Sequence, residues 1–179
     1  MCSPGPADIP SCGNAYSKAD YATAIKECSP LAKEGNSKAQ FYLGFMYANG
    51  KGVPQDYQEA VRWYRLAADQ GQVDGQFRLG MMYESGEGVP QDYKEAARLY
   101  RLAADQGVAN AQCLLGGMYE KGQGVPQDYV QAHMWYNLAG ASGVAQCVQF
   151  RDYIAKMMTP TQIGEAQRLA REWKPTTAQ

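Results

Sequence analysis

One histidine, His133, serves the whole 179-residue chain, and that scarcity sets the first limit on its chemistry. Structural zinc takes four ligands, and a single imidazole beside scattered cysteines lacks the paired spacing such sites use. No metal site is expected, and no cofactor. Charge of one sign is also missing: 17 basic against 18 acidic side chains leave a net charge of −1. Phosphate-backbone binding draws its affinity from clustered cations, so nucleic acid is not an expected partner. No stretch approaches the roughly 20 apolar residues that cross a bilayer, and no basic start leads into an apolar segment like that of a signal peptide. No transmembrane segment is expected, and the chain as given reads as soluble. Nucleophile motifs are absent too. No serine heads an S-x-x-K, and there is no G-x-S-x-G elbow. The G-x-G pairs such as Gly50 and Gly52 lack the Lys-Ser/Thr of a phosphate loop.

What is there is a repeat. Apolar residues make up 45% of the chain, enough for a core and against disorder. AQFYLGFMYANGKGVPQDY opens at Ala39, GQFRLGMMYESGEGVPQDY at Gly75 and AQCLLGGMYEKGQGVPQDY at Ala111, a fixed interval of 36 residues. A decayed fourth copy opens at Cys147, and ADYATAIKECSPLAKEG before the first copy matches QDYQEAVRWYRLAADQG inside it. The expected divisions are an N-terminal segment 1–14, a partial opening repeat 15–38, repeats 39–74, 75–110 and 111–146, a partial repeat with a C-terminal cap 147–173, and a tail 174–179.

Each unit reads as two helices. Leu43, Met46 and Tyr47 share one face of the first, as do Leu79, Met82, Tyr83 and Leu115, Met118, Tyr119. Gly44, Gly80 and Gly116 sit inside that helix, where glycine costs about 1 kcal/mol relative to alanine, so close approach of a neighbouring helix is expected. Gly50, Gly86 and Gly122 are placed to end it in a left-handed conformation, with Pro54, Pro90 and Pro126 stiffening the connection. Asp56, Asp92 and Asp128 each stand three residues before Glu59, Glu95 and Gln131, the spacing of a capping box. Tyr57, Ala60, Trp63, Tyr64, Ala67 and Ala68 mark the buried face of the second helix, which Gly71, Gly107 and Gly143 close. Pro10 and Gly13 are expected to interrupt the first helix of the opening copy.

The run LGxMYxxGxGVPQDYxxA, at Leu43 to Ala60, Leu79 to Ala96 and Leu115 to Ala132, resembles the Sel-one-like repeat (SLR) family, a branch of the tetratricopeptide-type solenoids, over about residues 15 to 173. The ending RDYIAKMMTPTQIGEAQRLAREW is similar to the closing segment of many bacterial members. It reads as a cap, with Thr159 and Gln162 around Pro160 at a helix start, Ile163, Ala166, Ala170 and Trp173 facing inward, and Arg168, Arg171 and Glu172 facing water. The resemblance implies an all-α fold, a right-handed α-solenoid of stacked antiparallel helix pairs with a C-terminal capping helix. It also implies a noncatalytic scaffold or adaptor that binds a protein or peptide on its concave face, for example a periplasmic immunity-type inhibitor of a secreted effector. The alternative is a cell-envelope hydrolase, because some cysteine-rich relatives have been associated with β-lactamase activity. The missing S-x-x-K speaks against it.

Five cysteines are an odd count. Cys12 and Cys28 flank the opening turn on antiparallel helices and form a candidate disulfide. Cys113 and Cys147 are expected as buried thiols, since the two cysteines per repeat of the disulfide-bonded relatives are absent here. Cys2, after Met1 and before a Pro/Gly-rich stretch, stands where a lipid-anchored mature lipoprotein would carry its modified residue, as if a leader had been removed. Periplasm or secretion is the expected location, with cytoplasm the alternative. His133 shares its repeat position with Val61 and Ala97 and is assigned a packing role. Arg62, Arg65, Arg98 and Arg101 are expected to pair with Glu59, Glu95, Asp69 and Asp105 on a solvated face.

One surface is expected to choose the partner. In related solenoids the first helices line the concave side, and here one position of that helix reads Tyr42, Arg78, Leu114 and Phe150 through the copies. Another, three residues on, reads Phe45, Met81, Gly117 and Tyr153. The expected binding residues are Tyr42, Phe45, Arg78, Met81, Leu114, Phe150 and Tyr153, with packing between repeats as the competing reading.

Overall fold

The computed structural model describes residues 9–176. Among them are ten helices and no strand: α1 (Ile9–Ser17), α2 (Tyr21–Lys33), α3 (Ser37–Asn49), α4 (Tyr57–Asp69), α5 (Val73–Ser85), α6 (Tyr93–Asp105), α7 (Ala109–Lys121), α8 (Tyr129–Ala141), α9 (Ala145–Ala155) and α10 (Pro160–Glu172). They fall into two compact units that divide between Gln91 and Asp92. In the first, α1 packs on α2, α2 on α3, α3 on α4 and α4 on α5; in the second, α6 packs on α7, α7 on α8, and α8 on both α9 and α10. The lipid-anchor position Cys2 lies outside the described residues.

The helix ends follow the chemistry of their residues. Asp56, Asp92 and Asp128 accept hydrogen bonds from the backbone N–H groups two and three residues on. These satisfy donors that have no partner within the helix, a contribution of roughly 1 kcal/mol each. The reciprocal half of the box does not form at Glu59 and Glu95. Arg62 and Arg98 lie one turn on, and each carboxylate takes its arginine instead, at 3.2 and 2.7 Å. The full box forms at Thr159 and Gln162, where Pro160 opens α10. Gly50 ends α3 at φ 62°. Gly52, at φ 72°, lies so close to α2 that a Cβ there would sit 2.7 Å from the carbonyl oxygen of Tyr21.

Helix α1 corrects one expectation, for it runs through both Pro10 and Gly13. Pro10 falls in the first turn, where its missing N–H would have had no acceptor within the helix. Cys12 and Ala15 are buried against α2 and α3, which supplies the packing that the local sequence lacks. A disulfide joins Cys12 to Cys28 across that pair, with Cα atoms 5.0 Å apart.

Two devices hold successive helices together. The in-helix glycines make room for aromatic rings: a Cβ on Gly44 would lie 2.5 Å from the Tyr64 ring, and one on Gly116 would lie 2.8 Å from Tyr136. The other is a buried glutamine at one fixed repeat position. Gln40, Gln76 and Gln112 donate through Nε2 to the carbonyls of Ala32, Ala68 and Ala104, eight residues earlier, at 3.1, 3.4 and 3.2 Å. Each of these carbonyls also accepts the N–H of the glycine three residues after it. Both lone pairs are then used, which is what a buried carbonyl at a helix end requires.

Candidate partner-binding surface

In the first unit the variable positions of the first helices divide into covered and open. Tyr42 on α3 stacks on Tyr16 of α1 at 4.3 Å between ring centroids and 28° between planes, and Phe45 meets the same ring edge-on at 5.3 Å. Both are half-buried. Tyr16 comes from the helix that the sequence reading left interrupted, so the cover over Tyr42 and Phe45 was not visible there. Arg78 and Met81 on α5 are open, Met81 at 39% exposure. They line a cleft of about 170 Å³ together with Asn49, Tyr57, Tyr64 and Glu87. Gln55 ties two lining residues together, donating to the carbonyl of Ala48 at 2.8 Å and to the Tyr57 hydroxyl at 3.0 Å. Burial pushes the Tyr64 hydroxyl well above the usual phenol range, with the Arg78 guanidinium partly opposing it.

In the second unit Leu114 on α7 is half-buried, while Phe150 and Tyr153 on α9 are 38% and 59% exposed. Phe150 leans on Tyr136 at 5.5 Å, and the Tyr136 hydroxyl donates to Glu120 at 2.6 Å. Met157, just past the end of α9, is exposed as well and extends the stripe by one more turn. The spacing Phe150, Tyr153, Met157 is present in the sequence as an i, i+3, i+7 pattern, but the repeat comparison covers only its first two members and misses Met157.

Other assignments moved. Arg65 and Arg101 do not pair with Asp69 and Asp105; they reach Tyr83 at 2.7 Å and Tyr119, respectively. The hydroxyl of the next first helix lies closer to each guanidinium than the carboxylate one turn along. Arg101 also lies over the Trp135 ring at 4.9 Å, and Trp173 meets Trp135 edge-on at 6.3 Å. Past Trp173 the chain continues onto the end of α6, where the Thr176 N–H donates to the Asp105 carbonyl at 2.7 Å. Cys113 and Cys147, expected as thiols, are joined by a disulfide with Cα atoms 5.9 Å apart. They sit at the third and first repeat positions of successive first helices, so a pairing pattern within repeats could not reveal them. His133 is 3% exposed, and Nδ1 has no partner. Its pKa is pushed down by burial first and then by Arg151, with Asp152 partly opposing. Among the described residues no group of His, Cys, Asp and Glu is arranged to hold a metal ion, and no helix is long and apolar enough to cross a membrane.

A family model for the Sel1 repeat matches residues 37–72, 73–108 and 109–144, three consecutive repeats. The chain belongs to the Sel1 repeat family. Its fold is the all-α solenoid that solved SLR structures share. A Sel1 repeat protein from Oxalobacter formigenes is 30% identical with a TM-score of 0.78, over 82% of this chain and 60% of that one. A protective antigen with an SLR fold, present in uropathogenic Escherichia coli strains, is 34% identical with a TM-score of 0.78, over 89% of this chain and 36% of that one. The Sel1-repeat chain thus spans less than two thirds of the length of both. Helicobacter pylori cysteine rich protein B, at 20% identity and a TM-score of 0.54 over 82% of this chain and 99% of that one, shares the fold alone. Comparison with curated proteins yields no match. Sel1-repeat solenoids are in general protein-interaction scaffolds and typically noncatalytic.

Proposed function

We propose that this chain is a noncatalytic interaction module of the bacterial periplasm or cell exterior that holds a protein or peptide on its first-helix face. An inhibitor that blocks a secreted effector, in the manner of an immunity protein, is the form we favour. One observation carries the reading. The scaffold positions of the repeat are buried alanines, leucines and glutamines, while the positions that vary between copies leave Arg78 and Met81 in solvent in the first unit and Phe150 and Tyr153 in solvent in the second. A helix face with no partner would carry polar residues there, and clustered exposed aromatics mark interaction sites. The two disulfides suit an oxidising compartment.

The test compares what the wild-type chain and a Phe150→Ser/Tyr153→Ser variant retain from lysate of the source organism, with proteins quantified by mass spectrometry. A partner retained by the wild type should be depleted at least tenfold on the variant, while the helical circular dichroism signal stays unchanged. Equal recovery on both would remove the first-helix face of the second unit from the reading.

A further inference from the structure

Arginines in this chain are usually spoken for. Arg62, Arg98, Arg151 and Arg168 hold carboxylates, and Arg65 and Arg101 hold tyrosine hydroxyls. Two are left over among the described residues: Arg171, exposed in the last turn of α10, and Arg78, whose side chain makes neither an ion pair nor a hydrogen bond. Asp74 stands one turn before it, at the spacing that stabilises helix pairs, yet accepts from Gln72 Nε2 at 3.2 Å instead. The guanidinium instead lies on the cleft side, close enough to the phenols of Tyr64 and Tyr16 to act on both electrostatically. At the same repeat position the other copies carry Tyr42, Leu114 and Phe150, so the cation replaces an apolar group in an aromatic setting.

We propose that the cleft of the first unit binds a carboxylate side chain of a partner peptide, with Arg78 as the charge-recognising group and Met81 and Tyr57 as the apolar walls. This rests on the partner-binding reading given above and names the chemistry of the partner. Three features make the site more than a solvated arginine. A guanidinium presents planar paired donors that fit a carboxylate in two parallel hydrogen bonds. The aromatic floor lowers the local dielectric, which strengthens such a pair relative to one on an open surface. A cleft of about 170 Å³ admits a side chain rather than a folded domain. Glu87, which also lines it and makes no ion pair with Arg78, places a negative charge at the same mouth and so favours a basic or neutral residue beside the acidic one.

Random dodecapeptides displayed on phage, panned against the full chain, test the assignment. Wild type should enrich peptides with Asp or Glu next to an apolar residue, and a synthetic copy of the best peptide should lose at least tenfold in affinity on Arg78→Ala and on replacing its acid by the amide. Arg78→Glu should shift the selected composition from acidic to basic. The side chain is exposed, so both variants are expected to keep the wild-type helical signal and melting temperature. Peptides selected without acidic enrichment, or bound equally by Arg78→Ala, overturn the carboxylate assignment and leave the partner-binding reading standing. Failure to select any peptide overturns both the assignment and the peptide form of that reading.

Discussion

The junction between the third full repeat and the fourth copy departs from the earlier junctions at two positions together, and a double-mutant cycle tests whether they are coupled. Where Ala32, Ala68 and Ala104 stand, the repeat 111–146 has Gly140 on α8; where Gln40, Gln76 and Gln112 stand, the fourth copy has Val148 on α9. A Cβ added at Gly140 would lie 2.7 Å from Val148 Cγ2, whereas its next nearest neighbours are at an ordinary 3.7 and 3.8 Å. The whole conflict is therefore with one methyl of one β-branched side chain. Gly140→Ala alone gains up to about 1 kcal/mol of helix propensity near the end of α8 and loses about 1 to 3 kcal/mol to overpacking. The net expectation is a loss of about 1 kcal/mol.

In a Val148→Gln background the same substitution meets the environment that its sister alanines already occupy, all three of them buried. The new amide can donate to the carbonyl of residue 140, which now accepts backbone N–H groups alone, that of Gly143 at 3.0 Å among them. There Gly140→Ala should stabilise by about 0.5 to 1 kcal/mol, giving a coupling energy of about 1.5 to 2 kcal/mol. Urea unfolding of the four proteins, read at constant m-value, supplies the cycle. Thermal melts should move by about 2 to 4 °C per kcal/mol for a chain of this size. A coupling below about 0.5 kcal/mol would mean that the two substitutions arose independently and that Val148 yields without cost.

Other expectations follow from the same contacts. Gly44→Ala drives a Cβ into the ring of Tyr64, which is itself buried, and should cost about 1 to 2 kcal/mol after its propensity gain; an unchanged melting temperature would contradict the packing. Gln40→Leu removes a donor to Ala32 and the acceptor of the Gln70 amide, and should cost about 1 to 2 kcal/mol. Gln112→Leu should cost less, because Gln112 Oε1 is buried without a partner and its removal offsets part of the loss; equal costs in urea would refute the distinction. His133 is held neutral in the folded state, so the unfolded chain binds the extra proton and stability should be full above the ordinary value of 6.5, then fall as pH drops through 6.5 toward the lowered folded value. His133→Ala, the residue at Ala97, should flatten that slope in urea titrations between pH 7.5 and 5. By loop length alone the Cys12–Cys28 and Cys113–Cys147 bridges should contribute about 3 and about 4 kcal/mol, and unreduced peptide mapping should find each pair linked. Four freely alkylated thiols in protein from an oxidising compartment would dismiss both.

The helix pairs of the three full repeats were legible because three signals agreed in each: apolar spacing of three and four in the first helix, a glycine with proline at its end, and an aspartate opening the second. Those are local effects, and a local reading captures them. The capping boxes at Glu59 and Glu95 were misread for a reason of the same scale, since the notation S/T/D-x-x-E says nothing of an arginine three residues further on. What the sequence left hidden is contact between different repeats. Arg65 with Tyr83 and Arg101 with Tyr119 are 18 residues apart, and Cys113 with Cys147 are 34 apart, so no window on one helix contains both partners. The glutamine ladder was visible as an invariant letter in three copies, but a polar residue in the middle of an apolar motif carries no sign of the carbonyl it serves.

That ladder also explains why the partner-binding positions can vary at all. A helix face is free to change only if other residues fix the spacing of the helices beneath it. Here that spacing is set by ring-on-glycine contacts and by a side chain hydrogen-bonded to backbone, neither of which depends on what stands at Tyr42, Arg78, Leu114 or Phe150. Tyr42 shows the limit of that freedom, because α1 lays Tyr16 over it and turns a binding position into a packing one. Arg78 has no such cover, and its neighbours on α3 and α4 supply the walls rather than a lid. Recognition in the first unit therefore rests on whether a fixed scaffold leaves a charged side chain room to reach outward, and Arg78 has that room.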